Sequence, residues 1–320
     1  MRRSLTVLLR GAALKMHFDS NSAMKQPCFL LFAALTLLIS RSVLFAFPGD
    51  HHLPYVVVVE TTRDSGAGSL RAAIESANRN AATRIIFQIP TADGGFDTTK
   101  KIWRIMPLSP LPPLQKPDTR IEGSGTVMIS GDKARKHWSG LRVEAARCRI
   151  IGVKWINWPH EIVSIRSSET RIERNEFQSA PYGIVVHGHK SRRNGFEQNL
   201  FDGVNSPISL QDGSNDGLAA PSLSIVRDDA IAPVSHKFMV KFKGKAKTNV
   251  TLELAYSSDE AWDAPQIRSI RNTHTVKTDA KGSAEWQFDW KGYPVGSWAA
   301  TATQNGSTSG FSNTVVMPYL

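Results

Sequence analysis

Seven basic side chains stand out because their spacing gathers them. Arg149 and Arg171 fall 22 residues apart, Arg166 and His187 share another repeating position, and Lys190, Arg192 and Arg193 close the run HGHKSRR. Guanidinium groups meet carboxylates and sulfates through paired hydrogen bonds, so such a set suits an acidic polysaccharide. The alternative is a solvated surface in which these cations answer Glu144, Glu169, Glu173 and Glu176. His187 and His189 are spaced to share one face of a strand, but no third ligand stands beside them, so no metal is assigned. Glu173 and Glu197 repeat at equivalent positions and are a weak hint of paired-carboxylate chemistry. No catalytic residue is assigned.

A second candidate for chemistry is the glycine-rich run Gly66-Ala67-Gly68-Ser69-Leu70-Arg71. A phosphate-binding loop needs a terminal Gly-Lys-Ser/Thr, and a dinucleotide fingerprint needs a third glycine; both are missing here. The residues after it carry a helical pattern instead. Leu70, Ala73, Ile74 and Ala77 fall on one face, and the Ser69 hydroxyl is placed to cap the helix start. Strands YVVVVETT (Tyr55–Thr62) and RIIFQI (Arg84–Ile89) flank it. Strand, turn, short helix, strand is a covering element.

The elements that must position the basic residues repeat. Arg149–Trp155 aligns with Arg171–Phe177 at a period of 22, and with Gly195–Phe201 at an offset of 24. Periods in the twenties mark a solenoid. Ile150, Ile172 and Phe196 form one inward column, and Trp155, Phe177 and Phe201 an aromatic one. Val153, Asn175 and Asn199 share a turn, where the asparagines can ladder. A second strand repeats as Leu141/Val143, Val163/Ile165, Ile184/Val186 and Ile208/Leu210, one face buried and one wet. Glu144, Arg166 and His187 then stack outward, as do Arg149 and Arg171. The third of these coils is lengthened by the HGHKSRR bulge.

DSGAGSLRAAIESAN resembles the CSLREA region found ahead of bacterial surface β-helices, with Gly68 and Ala72 replacing the cysteine and glutamate of that name. The resemblance runs from about Val56 to Asn215, and Ile102–Gly131 is similar to the family's continuation. It implies a helix capping the open end of a parallel β-helix. After the linker QDGSNDGLAAPS, short alternating strands suggest a β-sandwich of immunoglobulin type. They resemble bacterial Ig-like modules, without the Cys…Trp…Cys signature. Pectate-lyase-like enzymes share the β-helix. The resemblance to such lyases would imply calcium on clustered aspartates, yet the coils offer only Asp202 and Asp212.

Ahead of all this lies the apolar run Cys28–Ser40, too short for a comfortable span and preceded by Lys25, which reads as a secretory signal within residues 1–46 with a start at Met24 and a cut after Ala46. The chain carries a formal +11; losing Arg2, Arg3, Arg10, Lys15, Lys25, Arg41 and Asp19 leaves +6 and one cysteine, Cys148. No nucleic-acid motif accompanies the charge. The expectation is an all-β, exported bacterial surface or secreted protein: signal 1–46, capped short right-handed parallel β-helix 55–215, Ig-like sandwich 221–320. It is expected to bind extracellular or envelope polysaccharide without a cofactor, without nucleic acid and without a stable membrane span. The alternative is a polysaccharide lyase or glycoside hydrolase, with Ca2+ only in the lyase case.

Overall fold

The computed structural model describes residues 3–9, 12–18, 55–228, 235–258, 266–291 and 293–318. The run Cys28–Ser40 and the cut after Ala46 lie outside the described residues. Strands β1 (Arg3–Leu9) and β2 (Ala12–Phe18) pair antiparallel in a unit separate from Leu53–Leu320.

From Tyr55 the chain winds into a right-handed parallel β-helix of about six turns. Its first elements are β3 (Tyr55–Val59), helix α1 (Leu70–Ala77), β4 (Thr83–Phe87), β5 (Phe96–Asp97) and β6 (Ile102–Ile105). Then come β7 (Arg120–Ser130), β8 (Leu141–Val143), β9 (Arg149–Ile156), β10 (Glu161–Ile165) and β11 (Arg171–Glu173). The last two coils are completed by β12 (Glu176–Val186), β13 (Gly195–Glu197) and β14 (Leu200–Leu210). Three parallel faces result. Face 1 stacks β3, β4, the first halves of β7 and β9, β11 and β13. Face 2 stacks β6 with the second halves of β7 and β9 and the first halves of β12 and β14. Face 3 stacks β8, β10 and the second halves of β12 and β14.

Apolar residues of one type recur inward because each coil meets the same neighbours above and below. Ile85, Ile121, Ile150, Ile172 and Phe196 stack inside face 1; Ile105, Ile129, Trp155, Phe177 and Phe201 inside face 2. Burying each contributes roughly 1.5–3 kcal/mol. The rings of Phe177 and Phe201 stack at 5.0 Å and 13°.

The corners hold the coils in register. The Asn175 Oδ1 accepts from Val153 N at 3.0 Å, while its Nδ2 donates to Ile150 O at 2.9 Å; Asn199 repeats this one coil on, accepting from Asn175 N and donating to Ile172 O. A second asparagine pair, Asn194 and Asn215, does the same between faces 3 and 1. Just before that corner, Asp118, Arg147, Glu169 and Arg193 all adopt left-handed φ, from 55° to 62°. Their signs alternate along the axis: Arg147 forks onto Asp118 at 2.8 and 2.9 Å, and Arg193 pairs with Glu169.

Both ends are closed. Ser69 caps α1, accepting from Ala72 N at 3.2 Å, and Leu70, Ala73, Ile74 and Ala77 join the solenoid core. The other end meets two antiparallel sheets. Their strands are β15 (Ser222–Asp228), β16 (Ser235–Lys243), β17 (Asn249–Ser257), β18 (Ser269–Lys277), β19 (Ser283–Lys291), β20 (Gly296–Gln304), β21 (Ser307–Thr308) and β22 (Val315–Met317). One sheet runs β15-β16-β19, the other β18-β17-β20 with β21 and β22 both on β20. Phe238, Val240 and Trp286 of the first share a core with Leu252, Leu254 and Trp298 of the second. Thr308 Oγ1 accepts from Phe196 N at 2.9 Å, and Ile267 bridges Phe201, so the sheets extend faces 1 and 2. The stretch that reads as a linker, QDGSNDGLAAPS, is anchored: Asn215 is fully buried and its Nδ2 donates to Thr308 O at 2.6 Å. Its Gly/Ser/Asn content serves a tight corner, with left-handed φ at Asn215, Asp216 and Gly217, rather than freedom.

Candidate functional site

On face 3 a groove of about 400 Å³ opens between the second and fourth coils. A long coil makes it. Arg120 and Arg149 are in register 29 residues apart, against 22 for Arg149 and Arg171; three of the extra residues bulge between Glu122 and Val127, and the other four lengthen the loop Gly131–Gly140. Glycine closes both ends of this loop because the backbone passes against Trp158. A Cβ at Gly131 would lie 2.8 Å from the indole, and one at Gly140 would lie 2.6 Å from Ile162 O. The loop delivers His137, Trp138 and Ser139 to the groove, and Pro110 and Leu111 form its far wall.

Its floor comes from the repeat. Arg142 and Ser164 are outward residues in register on β8 and β10, and Arg166 follows β10 at the rim. Glu161, only 7% exposed, accepts from Ser139 Oγ at 3.0 Å and lies 3.2 Å from His187 Nε2. The Ser164 hydroxyl is buried without a hydrogen-bond partner, and so is His160 Nδ1, 4.0 Å from Glu161. Arg166 is exposed, and among the described residues no carboxylate pairs with it. Arg142 approaches Glu144 only to 3.9 Å.

Two guanidiniums, two imidazoles and an indole around a recessed carboxylate can hold an anionic ring. The cations meet its acid group, Trp138 offers a flat face, and Glu161 accepts hydrogen bonds from its hydroxyls. Among the described residues Glu161 is the only carboxylate lining the groove, whereas hydrolysis of glycosides by the usual route needs two.

The basic residues singled out from sequence divide. Arg166 lines this groove, and His187 is joined to it through Glu161. Arg149 lies on face 1, forked onto Glu173 at 2.8 and 2.9 Å. Arg171 is half-buried and donates to the carbonyls of Arg193 at 2.8 Å and Gly306 at 3.0 Å. Gly195 makes room for it, since a Cβ there would lie 2.7 Å from its Nη1. Lys190, Arg192 and Arg193 sit at the corner between faces 3 and 1, with Arg193 on Glu169 and Arg192 3.9 Å from Asp216. Arg149 is therefore paired within the protein, while Arg171 has its hydrogen bonds met by backbone carbonyls. His189 is exposed, and among the described residues no group of three His, Cys, Asp or Glu is placed to hold a metal.

Glu173 and Glu197 are indeed neighbours in register, and a third carboxylate, Glu253 of the sandwich, accepts from Gln198 N at 3.0 Å beside them. Burial first, then the charge of Glu197, pushes Glu253 up to about 7 against the opposing Gln198 N–H bond. Sequence reasoning missed Glu161, Ser164 and the loop residues. The seven-residue lengthening of one coil, with its run KARKHW, was the available signal. No family model matches the chain, and no curated protein is significantly similar to it.

Proposed function

We propose that the protein is an exported surface or secreted β-helix protein that binds an acidic polysaccharide in the face 3 groove without turning it over. The observation that carries this reading is the convergence of Arg166, loosely paired Arg142, His137 and Trp138 on a groove whose floor holds the Ser164 hydroxyl, with neither Arg166 nor that hydroxyl finding a partner among the described residues. A cofactor plays no part in the reading. The C-terminal sheets are read as an Ig-like sandwich, because three strands share a core with a sheet built on β18-β17-β20 and the chain crosses between the sheets after β16, β18 and β19. The N-terminal helix that closes the coil fits a CSLREA-type architecture, on the strength of the Ser69–Ala77 pattern alone.

The test incubates the full chain with polygalacturonate, alginate and neutral glycans, with and without calcium, and follows retention, unsaturated products and reducing ends together. Retention on acidic polymers without product, lost in Arg142→Ala/Arg166→Ala, is the expected result. Product formation would replace this reading with a lyase or hydrolase in which Glu161 and His187 are the groups to examine. Absence of retention would leave the groove with no glycan.

A further inference from the structure

A second basic recess lies beyond the groove, where the last coils meet the sandwich. It encloses about 710 Å³ and is lined by Ser168, Arg192 and Arg193 from the solenoid and Lys243, Lys245, Gln304 and Asn305 from the sheets, among others. Its one carboxylate among the described residues, Asp216, already accepts from Ser307 Oγ at 2.5 Å and stands 3.9 Å from Arg192. Arg193 is turned to Glu169. Lys243 and Lys245 are exposed, and among the described residues neither has an ion-pair partner. Cations of like sign held around one recess raise each other's energy unless an anion enters.

The recess is also fixed in shape. Arg193 N donates to Ser307 Oγ at 3.1 Å, Arg171 reaches Gly306 O, and Lys245 N donates to Gln304 Oε1 at 2.6 Å. The solenoid and sheet contributions are therefore tied by hydrogen bonds rather than merely adjacent. It is continuous with the groove along the chain: Arg166 ends the groove, and Ser168, two residues on, begins the recess while bonding Lys190 O and Arg192 N.

We infer that this cleft is a second anion subsite, which receives a carboxylate or sulfate of the same polymer one or more sugars beyond the groove. The sandwich then supplies Lys243 and Lys245 to binding and is more than a spacer. The inference rests on the groove reading for the identity of the polymer, and the two fail separately. The experiment measures calorimetric affinity of the full chain for short and long oligogalacturonates across a salt series, in wild type, Lys243→Ala/Lys245→Ala and Arg142→Ala/Arg166→Ala.

Long oligomers are expected to bind about tenfold tighter than short ones in wild type. Lys243→Ala/Lys245→Ala should abolish that gain, leave short-oligomer affinity unchanged and make the affinity for long oligomers less steeply dependent on salt. A gain and slope that survive in the lysine variant overturn the cleft. Loss of the gain in the lysine variant, with no effect of the arginine variant on either length, keeps the cleft and overturns the groove. Failure of both lengths to bind overturns both.

Discussion

Faces 1 and 3 of the same solenoid use charge in opposite ways. On face 1 two arginines of one column meet the carboxylate of a following coil, Arg84 with Glu122 at 2.5 Å and Arg149 with Glu173, while Arg171 turns to backbone carbonyls. The Arg84 guanidinium beside Glu122 holds that carboxyl below its ordinary range. On face 3 the column is Arg142, Ser164 and Val185, with Arg166 at its margin, and nearby polar atoms lack partners. Coils spaced by ~4.8 Å force repeated side chains together, so a repeat that alternates signs neutralises itself. A repeat that fails to alternate leaves groups for something else. Abundance of arginine therefore does not locate a site; arginine without an answer does.

That distinction is sharpest where partners are complete. Asn175 satisfies Val153 N, Ile150 O and Glu173 O inside the corner between faces 1 and 2. Asn175→Ala leaves these buried backbone groups unpaired, and the expected loss is about 3 kcal/mol of unfolding free energy. Urea unfolding measures it. Glycan retention by the folded fraction should stay at wild-type level, because no face 3 residue depends on this ladder.

The junction with the sandwich gives the next effect, and its sign follows from Glu253. Its carboxyl titrates near 7 in the folded chain against an ordinary 4.5, so folding favours the protonated form. Stability conferred by that proton is complete below about pH 4.5, declines as pH rises, and is gone above about 7, a change on the order of 3 kcal/mol. Thermal melts between pH 4 and 8 should show the decline, and Glu253→Gln should flatten it. An unchanged pH profile in that variant would mean the carboxylates at Glu197 and Glu253 do not strain the junction.

The direct contrast between faces sets an arginine pair of face 3 against a single arginine of face 1. Arg142→Ala/Arg166→Ala should weaken acidic-glycan binding at least tenfold, about 1.4 kcal/mol, with stability within about 0.5 kcal/mol of wild type. Arg149→Ala should do the reverse: it leaves half-buried Glu173 without its fork, costing about 1 kcal/mol of stability and no binding. Equal binding losses from both variants would erase the distinction between the faces.

Much of the solenoid was legible in the sequence because its physics is periodic. The pairing of Arg149 with Arg171, of Trp155 with Phe177 and Phe201, and of Asn175 with Asn199 accords directly with the 22- and 24-residue spacings. The helix Leu70–Ala77 with its Ser69 cap was legible from local chemistry. The fate of the arginines was not, since Arg171 is consumed by Gly306 O, 135 residues away. Nor did Asn215 look structural inside a Gly/Ser-rich run, because its partner Thr308 lies 93 residues on. The left-handed corners at Arg147, Glu169 and Arg193 were hidden for a different reason: charged residues occupy positions where glycine or asparagine would have been the sign.

The smallest effect probes the groove itself. Ser164 is 1% exposed, and its hydroxyl has no partner, whereas the neighbouring in-register residue Val185 has nothing to satisfy. A strand residue in that position serves packing equally well as alanine, and removing an unpaired buried hydroxyl relieves a desolvation cost. Ser164→Ala should therefore raise unfolding free energy by up to about 1 kcal/mol. If the hydroxyl is kept for a ligand, the same substitution weakens acidic-glycan binding by about threefold, under 1 kcal/mol. Stability and affinity moving in opposite directions is the signature of a group reserved for an occupant. A gain in stability with unchanged affinity would make Ser164 an ordinary strand residue, and the groove would then rest on its arginines alone.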